Sequence, residues 1–177
     1  MRRSDWELMA PAGSEEALSA AIEGGADSVY FGVGRLNMRA HAAGNFRADD
    51  LPRVMDRCRA AGVNGYLTVN TVLYDEELAE MKDLMTAAAK ARVSAVIASD
   101  MAAVLAAREV GLPVHLSTQL NISNTEALAF YAQYAETAVL ARELNLNQVR
   151  CIADAVRDKP ILGTGGEAMR LEMFCHG

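Results

Sequence analysis

The sequence predicts an α/β fold, an incomplete (β/α) TIM-like barrel of about seven parallel strands with helices outside. Three observations carry that prediction. Six times a short strand pattern is followed by a helical one, and a seventh strand pattern closes the chain. Hydrophobic residues make up 51% of the chain but aromatic ones only 6%, with alanine abundant, as in a helix-rich α/β domain. Several strands repeat a polar row on one face: Tyr30, then Thr68 and Asn70, then His115, Ser117 and Gln119, then Glu172 and His176. A doubly wound open sheet shares the βα alternation, but one polar interior served by so many strands is simplest to build when they curl around it. A dinucleotide fold would also show Gly-x-Gly-x-x-Gly after its first strand. Here Gly32-Val33-Gly34-Arg35-Leu36-Asn37 follows the second strand and ends in Asn. With seven strands the barrel does not close in the usual way, so residues 1–177 read as a single truncated barrel domain.

The first strand is expected at residues 6–10, stopping at Pro11-Ala12-Gly13. Ser14 caps the next helix, with Glu15 and Glu16 in its electropositive first turn and Gly24-Gly25 at its end. A strand at 28–32 leads into a long polar loop carrying Asn37, Arg39, His41 and Asn45. The second helix spans about 49–61, with Pro52 in the first turn, where a missing N–H is harmless, and Gly62 as the stop. Strand three, 65–70, alternates Tyr66, Thr68 and Asn70 against Leu67 and Val69. Helix three, 75–91, carries an apolar stripe through Leu78, Met81, Leu84 and Met85. Strand four, 94–99, is nearly all apolar, as a strand buried on both faces should be. Asp100 caps helix four, which stops at Gly111.

Strand five starts at Pro113 and points Val114 and Leu116 one way, His115, Ser117 and Gln119 the other. Ser123 or Asn124 caps a helix over 125–134. Strand six, 137–141, ends in Arg142-Glu143; a sixth helix follows Asn145, and the last strand is 170–175. Gly163-Thr164-Gly165-Gly166 precedes a strand rather than a helix, so it reads as a flexible connection and not a phosphate cradle.

The formal net charge is −6 with acids and bases interspersed, which argues against a phosphate-gripping surface on this segment by itself. Cys58, Cys151 and Cys175 are odd in number and far apart, so they form neither a disulfide framework nor a Cys-x-x-Cys pair. Cys58 and Cys151 sit in helical patterns and are expected to be buried. A reducing cytoplasm is the expected home. Met1-Arg2-Arg3 is followed by Ser4-Asp5-Trp6-Glu7 rather than an apolar core, so no secretory signal is read. No apolar run is long enough for a bilayer, and no membrane contact is expected.

Sheets of this class keep ligands at the carboxyl ends of their strands. Asn70, Asp100, His115, Ser117, Gln119, Asn121, Arg142, Glu143 and His176 therefore form the candidate pocket, and Arg39, in a loop at that end, is a candidate anion contact. Each has a plainer reading beside it. His115 suits a hydrogen-bonded interior histidine, Asn70 and Asp100 suit turns or caps, and Arg142 suits an internal ion pair with Glu7 or Glu172. A serine peptidase needs a Ser activated by a His that a carboxylate orients. Ser117 and His115 are neighbours on one strand face, but their side chains diverge, and no Gly-x-Ser-x-Gly or His-Glu-x-x-His occurs.

Five stretches, in order, resemble the collagenase-like peptidase family of unclassified mechanism, number thirty-two. They are Glu7-Leu8-Met9-Ala10-Pro11-Ala12-Gly13, Gly25-Ala26-Asp27-Ser28-Val29-Tyr30-Phe31-Gly32, Thr68-Val69-Asn70-Thr71, His115-Leu116-Ser117-Thr118-Gln119 and Leu140-Ala141-Arg142-Glu143-Leu144. Phe174-Cys175-His176-Gly177 is similar to the start of the family's diagnostic segment, which runs on into further cysteines. The resemblance implies two activities: peptidase, and oxygen-independent hydroxylation of a transfer RNA uridine, a ribosomal RNA cytidine or the ubiquinone ring. It implies a [4Fe–4S] cluster on downstream cysteines of some full-length relatives, none in this chain, and prephenate as hydroxyl donor for the transfer RNA members. RNA or such a small anion is thus an expected partner of the full-length protein.

The preferred expectation is the N-terminal barrel of an RNA (transfer RNA or 23S ribosomal RNA) base hydroxylase, inactive by itself, with Ala141-Arg142-Glu143-Leu144-Asn145-Leu146 resembling the ribosomal RNA branch. A peptidase is the alternative, and a non-catalytic binding or scaffold domain the third reading. An open seven-stranded run is further expected to self-associate through its edge strands or to pair them within one molecule.

Overall fold

In the computed structural model, which describes residues 6–38 and 46–176, seven parallel strands lie side by side in sequence order. They are β1 (Met9–Pro11), β2 (Ser28–Gly32), β3 (Asn64–Val69), β4 (Ala95–Ala98), β5 (Val114–Leu116), β6 (Thr137–Val139) and β7 (Arg170–Glu172). The crossovers contain α1 (Glu15–Glu23), α2 (Leu51–Ala60), α3 (Leu78–Ala91), α4 (Met101–Glu109), α5 (Thr125–Ala132) and α6 (Leu146–Asp158). The sheet curls into a half-barrel with β1 and β7 at its open ends, the fold class that the sequence predicts. Arg39, His41 and Asn45 of the polar loop lie outside the described residues, as does Gly177.

Strand register separates two faces. Thr68 stands opposite Ile97, Ile97 opposite His115, His115 opposite Thr137, and Thr137 opposite Arg170. These residues share the inner face with Tyr30 and Tyr66, which stand opposite each other on β2 and β3. The alternate residues, among them Val29, Phe31, Leu67, Val96, Leu116 and Ala138, join the helices in one large core. Full burial of a side chain such as Phe31 or Leu67 stabilises by about 1.5–3 kcal/mol relative to exposure. A separate small apolar group, Tyr66, Ala95 and Ile97 with Met9 and Tyr30, covers the inner face.

Helix starts follow local chemistry. Ser14 accepts from the Ala17 N–H at 3.2 Å, Asp100 from Ala102 at 2.9 Å and Asn124 from Ala127 at 2.9 Å. Asn145 accepts from Asn147 and Gln148, each at 3.0 Å, and Gln148 reciprocates onto the Asn145 N–H at 2.9 Å.

Strand limits depart from expectation. β1 starts at Met9, leaving Trp6 and Leu8 outside it and exposed, and it reaches Pro11, which an edge strand tolerates. β5 stops at Leu116, so Ser117 and Gln119 do not continue the His115 row. The chain instead turns once through a 3-10 helix (Thr118–Leu120), and Asn121 ends it at a left-handed φ of 52°, a conformation its short amide tolerates. β6 and β7 likewise end earlier, at Val139 and Glu172. The glycine-rich connection at 163–166 is closed by the Gly163 N–H donating to the Glu167 carbonyl at 2.8 Å. No described helix is long and apolar enough to cross a membrane.

Candidate functional site

The carboxyl edge of the sheet carries most of the candidates, each set there by a strand end. Asn70 directly follows β3, and its Oδ1 accepts from the Met38 N–H at 3.1 Å, fastening the loop after β2. Gly32 belongs to the same arrangement: Asn37 occupies the space where a Cβ would stand, with its Nδ2 donating to the Val33 and Gly34 carbonyls. Asp100 follows β4 and accepts from two backbone groups, Ala102 and, at 3.3 Å, Leu73. It clamps the β3–α3 connection onto the start of α4. Ser117 is buried, and its hydroxyl donates to Gln119 Oε1; Gln119 and Asn121 are exposed.

Between the ends of β6 and β7 and the first turn of α6 lies a cleft of about 250 Å³. It is lined by Leu140, Ala141, Arg142, Leu144, Val149 and residues 173–176. The Arg142 guanidinium sits 5.3 Å from the centre of the Phe174 ring, a cation–π contact. Met173 and Phe174 are 46% and 43% exposed, so the cleft offers open apolar and aromatic surface beside a cation. The structure thus brings Arg142 and His176 together, with Glu143 exposed next to them. Arg142 makes no ion pair with Glu7 or Glu172 among the described residues; Glu7 accepts from the Tyr66 hydroxyl, and Glu172 lies on the inner face 3.7 Å from His115 Nδ1. A guanidinium over an aromatic ring suits a ligand that combines an anion with a flat ring.

The inner face holds the other cluster. His115 is buried, with its ring centre 4.6 Å from that of Tyr66 and its Nδ1 3.7 Å from Glu172 Oε2. The Tyr66 hydroxyl donates to Glu7 Oε1 at 2.5 Å. Burial, and next that hydrogen bond to Glu7, push the Tyr66 phenol pKa well above its ordinary value. Tyr66 and Phe174 lie outside the candidate set read from the sequence. Tyr66 shares strand parity with Thr68, which is the one signal that could have found it; Phe174 enters through the early end of β7.

A second groove, of about 360 Å³, separates the starts of α5 and α6 and is lined by Asn124, Asn145, Gln148 and Cys151 among others. Cys151 is exposed there rather than buried as expected. It precedes Ile152, which with Val156 forms the inward stripe of α6, and one residue's rotation turns it to the surface.

Two chemistries are tested by these positions. A hydrolytic triad would join Ser117 to His115, but Ser117 bonds Gln119 while the imidazole faces Tyr66 and Glu172. An iron–sulfur cluster takes about four thiolates. The thiols here lie apart, with Cys58 buried in α2, its pKa raised by burial, Cys151 on α6 and Cys175 in the cleft after β7. These residues do not fit a cluster.

The family model "Peptidase family U32" matches residues 13–177. A protein named collagenase from Porphyromonas gingivalis is 56% identical over the whole chain, which covers 43% of that protein. The tRNA hydroxylation protein P1 of Bacillus subtilis is 30% identical over 97% of the chain, and 38% of its own length is covered. The 23S rRNA 5-hydroxycytidine C2501 synthase of Escherichia coli is 34% identical over 97% of the chain, with 24% covered. The chain therefore spans less than half the length of these relatives. The solved structure of the U32 peptidase Mk0906 superposes with a TM-score of 0.72 at 15% identity, over 94% of this chain and 67% of that one. A family match over nearly all of the sequence, joined to relatives of this identity from end to end, places the chain: it belongs to peptidase family U32.

Proposed function

We propose that this chain is the N-terminal barrel portion of an RNA base hydroxylase that works without oxygen. The observation that carries the reading is the cleft at the carboxyl edge, where Arg142 lies over Phe174. A nucleotide presents a phosphate to a guanidinium and a base to an aromatic face, and the cleft supplies both. A small ring-bearing carboxylate donor such as prephenate offers the same pair of groups. The two relatives named for RNA hydroxylation, similar along 97% of the chain, support the reading. Peptidase activity is the second reading, favoured by the 56% identity to a protein named collagenase. Against it stands the hydrogen bond of Ser117 to Gln119, with the His115 ring against Tyr66 and beside Glu172, so that Ser117 and His115 do not pair among the described residues.

The test compares a strain lacking the gene with its parent by mass spectrometry of nucleosides from transfer and ribosomal RNA, alongside hydrolysis of gelatin. The expected result is loss of a hydroxylated pyrimidine, restored by the intact gene, with gelatin hydrolysis unchanged. Unchanged nucleosides with lost gelatin hydrolysis would replace this reading with the peptidase.

A further inference from the structure

The carboxyl rim carries a second apolar surface, away from the Arg142 cleft, on the segment that joins β3 to α3. That segment keeps a strand-like alternation after pairing stops. Leu73 packs on the core, while Val72 and Tyr74 on either side of it are 71% and 64% exposed. Met38, whose N–H is held by Asn70 Oδ1, adds a third exposed apolar side chain, at 63%, on the adjoining loop. Single exposed apolar residues are ordinary, but three gathered at one rim make a surface suited to a partner.

The segment is fixed in place. The Leu73 N–H donates to Asp100 Oδ2 at 3.3 Å and the Tyr74 N–H to Glu77 Oε2 at 3.0 Å. The loop after β2 is pinned beside it by Arg35, which donates to Glu77 at 2.7 Å and to Glu80 at 2.7 and 3.1 Å. A surface ordered in advance loses little freedom on binding.

Charge selects the partner. Residues 72–80 contain four carboxylates, Asp75, Glu76, Glu77 and Glu80, and no cation. Arg35 commits its guanidinium to Glu77 and Glu80 and meets Glu76 only through its field. Among the described residues the exposed carboxylates of Asp75 and Glu76 take no hydrogen bond or ion pair. Such a surface repels a phosphate backbone and attracts Lys or Arg. An exposed Tyr ring adds cation–π attraction.

We propose that Met38, Val72 and Tyr74 form a docking site for a basic segment of a partner protein, one that alternates Lys or Arg with apolar side chains. The apolar side chains cover Val72, Tyr74 and Met38, and the cations meet Asp75 and Glu76. The site shares no residue with the Arg142 cleft and serves the protein whichever activity that cleft has.

Fluorescence anisotropy of a labelled peptide alternating Lys and Leu, titrated with the intact protein, tests this. The controls are a Glu/Leu peptide, a Lys/Ser peptide and a single-stranded RNA oligonucleotide. Saturable binding of the Lys/Leu peptide is expected, weakening as salt rises and about tenfold or more tighter than any control. Val72→Ser combined with Tyr74→Ser should weaken it about tenfold, the scale of a truncated interface aromatic. Asp75→Asn combined with Glu76→Gln should weaken it about threefold, the scale of exposed ion pairs. All four positions are exposed, so the variants should fold, which unchanged circular dichroism checks. Absence of saturable binding, a control bound as tightly, or unchanged affinity in the Val72→Ser, Tyr74→Ser variant would overturn the proposal. Loss of self-association in that variant, with no peptide bound by the wild type, would give the patch to a second copy of the chain and overturn it equally.

Discussion

Asp100 illustrates how a polar residue at a strand end is used by the fold itself. Both of its carboxylate oxygens accept backbone N–H groups, one starting α4 and one fixing Leu73 in the preceding connection. Asp100→Ala leaves both donors without this partner and should cost about 1–2 kcal/mol of stability in urea unfolding. Asp100→Asn keeps an acceptor oxygen for one of them and should lose less; equal losses would contradict this account. Residue roles of this kind were legible because caps act over two or three positions. Ser14, Asp100, Asn124 and Asn145 were each readable from their own neighbours. The Tyr66–Glu7 hydrogen bond joins residues 59 positions apart, and no spacing rule reaches it. The contact of Arg142 with Phe174 depends likewise on two strands ending side by side.

At the scale of elements, alternation and turn residues located all seven strands and matched β2 at 28–32, but overran the carboxyl ends of β5, β6 and β7. The polar row on β5 is one residue, His115, because Ser117 already turns into a 3-10 segment whose own hydrogen bonds satisfy the backbone. Alternation continues in the sequence past the point where pairing stops, so periodicity alone does not mark a strand end. The two edges stay apart: β1 pairs with β2 and β7 with β6, and among the described residues β1 and β7 do not pair. Closure within one molecule, one arm of the sequence expectation, is thus not what the sheet does. Trp6, Leu8, Met173 and Phe174 are exposed beside these open edges. The 177-residue chain should therefore self-associate, with sedimentation coefficients that increase with concentration. Leu8→Lys, which sets a charge at the first edge, should weaken that association. A wild-type chain that remains monomeric throughout would rule it out.

On the scale of the whole molecule, sequential parallel strands put every strand's carboxyl end on one rim and one alternate set of apolar residues under the helices. That is why a one-dimensional reading recovered the half-barrel, and why it named a rim of residues rather than a pocket. The structure divides that set. Asn70 and Asp100 hold connections, His115 belongs to the inner face, and Arg142 with His176 lines the cleft. The proposed hydroxylase function depends on that cleft. Its most direct test is nucleoside mass spectrometry of RNA from the gene-deleted strain complemented with Arg142→Ala. Arg142 is exposed, so the variant should fold and accumulate normally while the hydroxylated nucleoside drops about tenfold or more, the scale of one lost charge-assisted contact. Full restoration of the nucleoside by Arg142→Ala, at wild-type protein levels, would contradict the account.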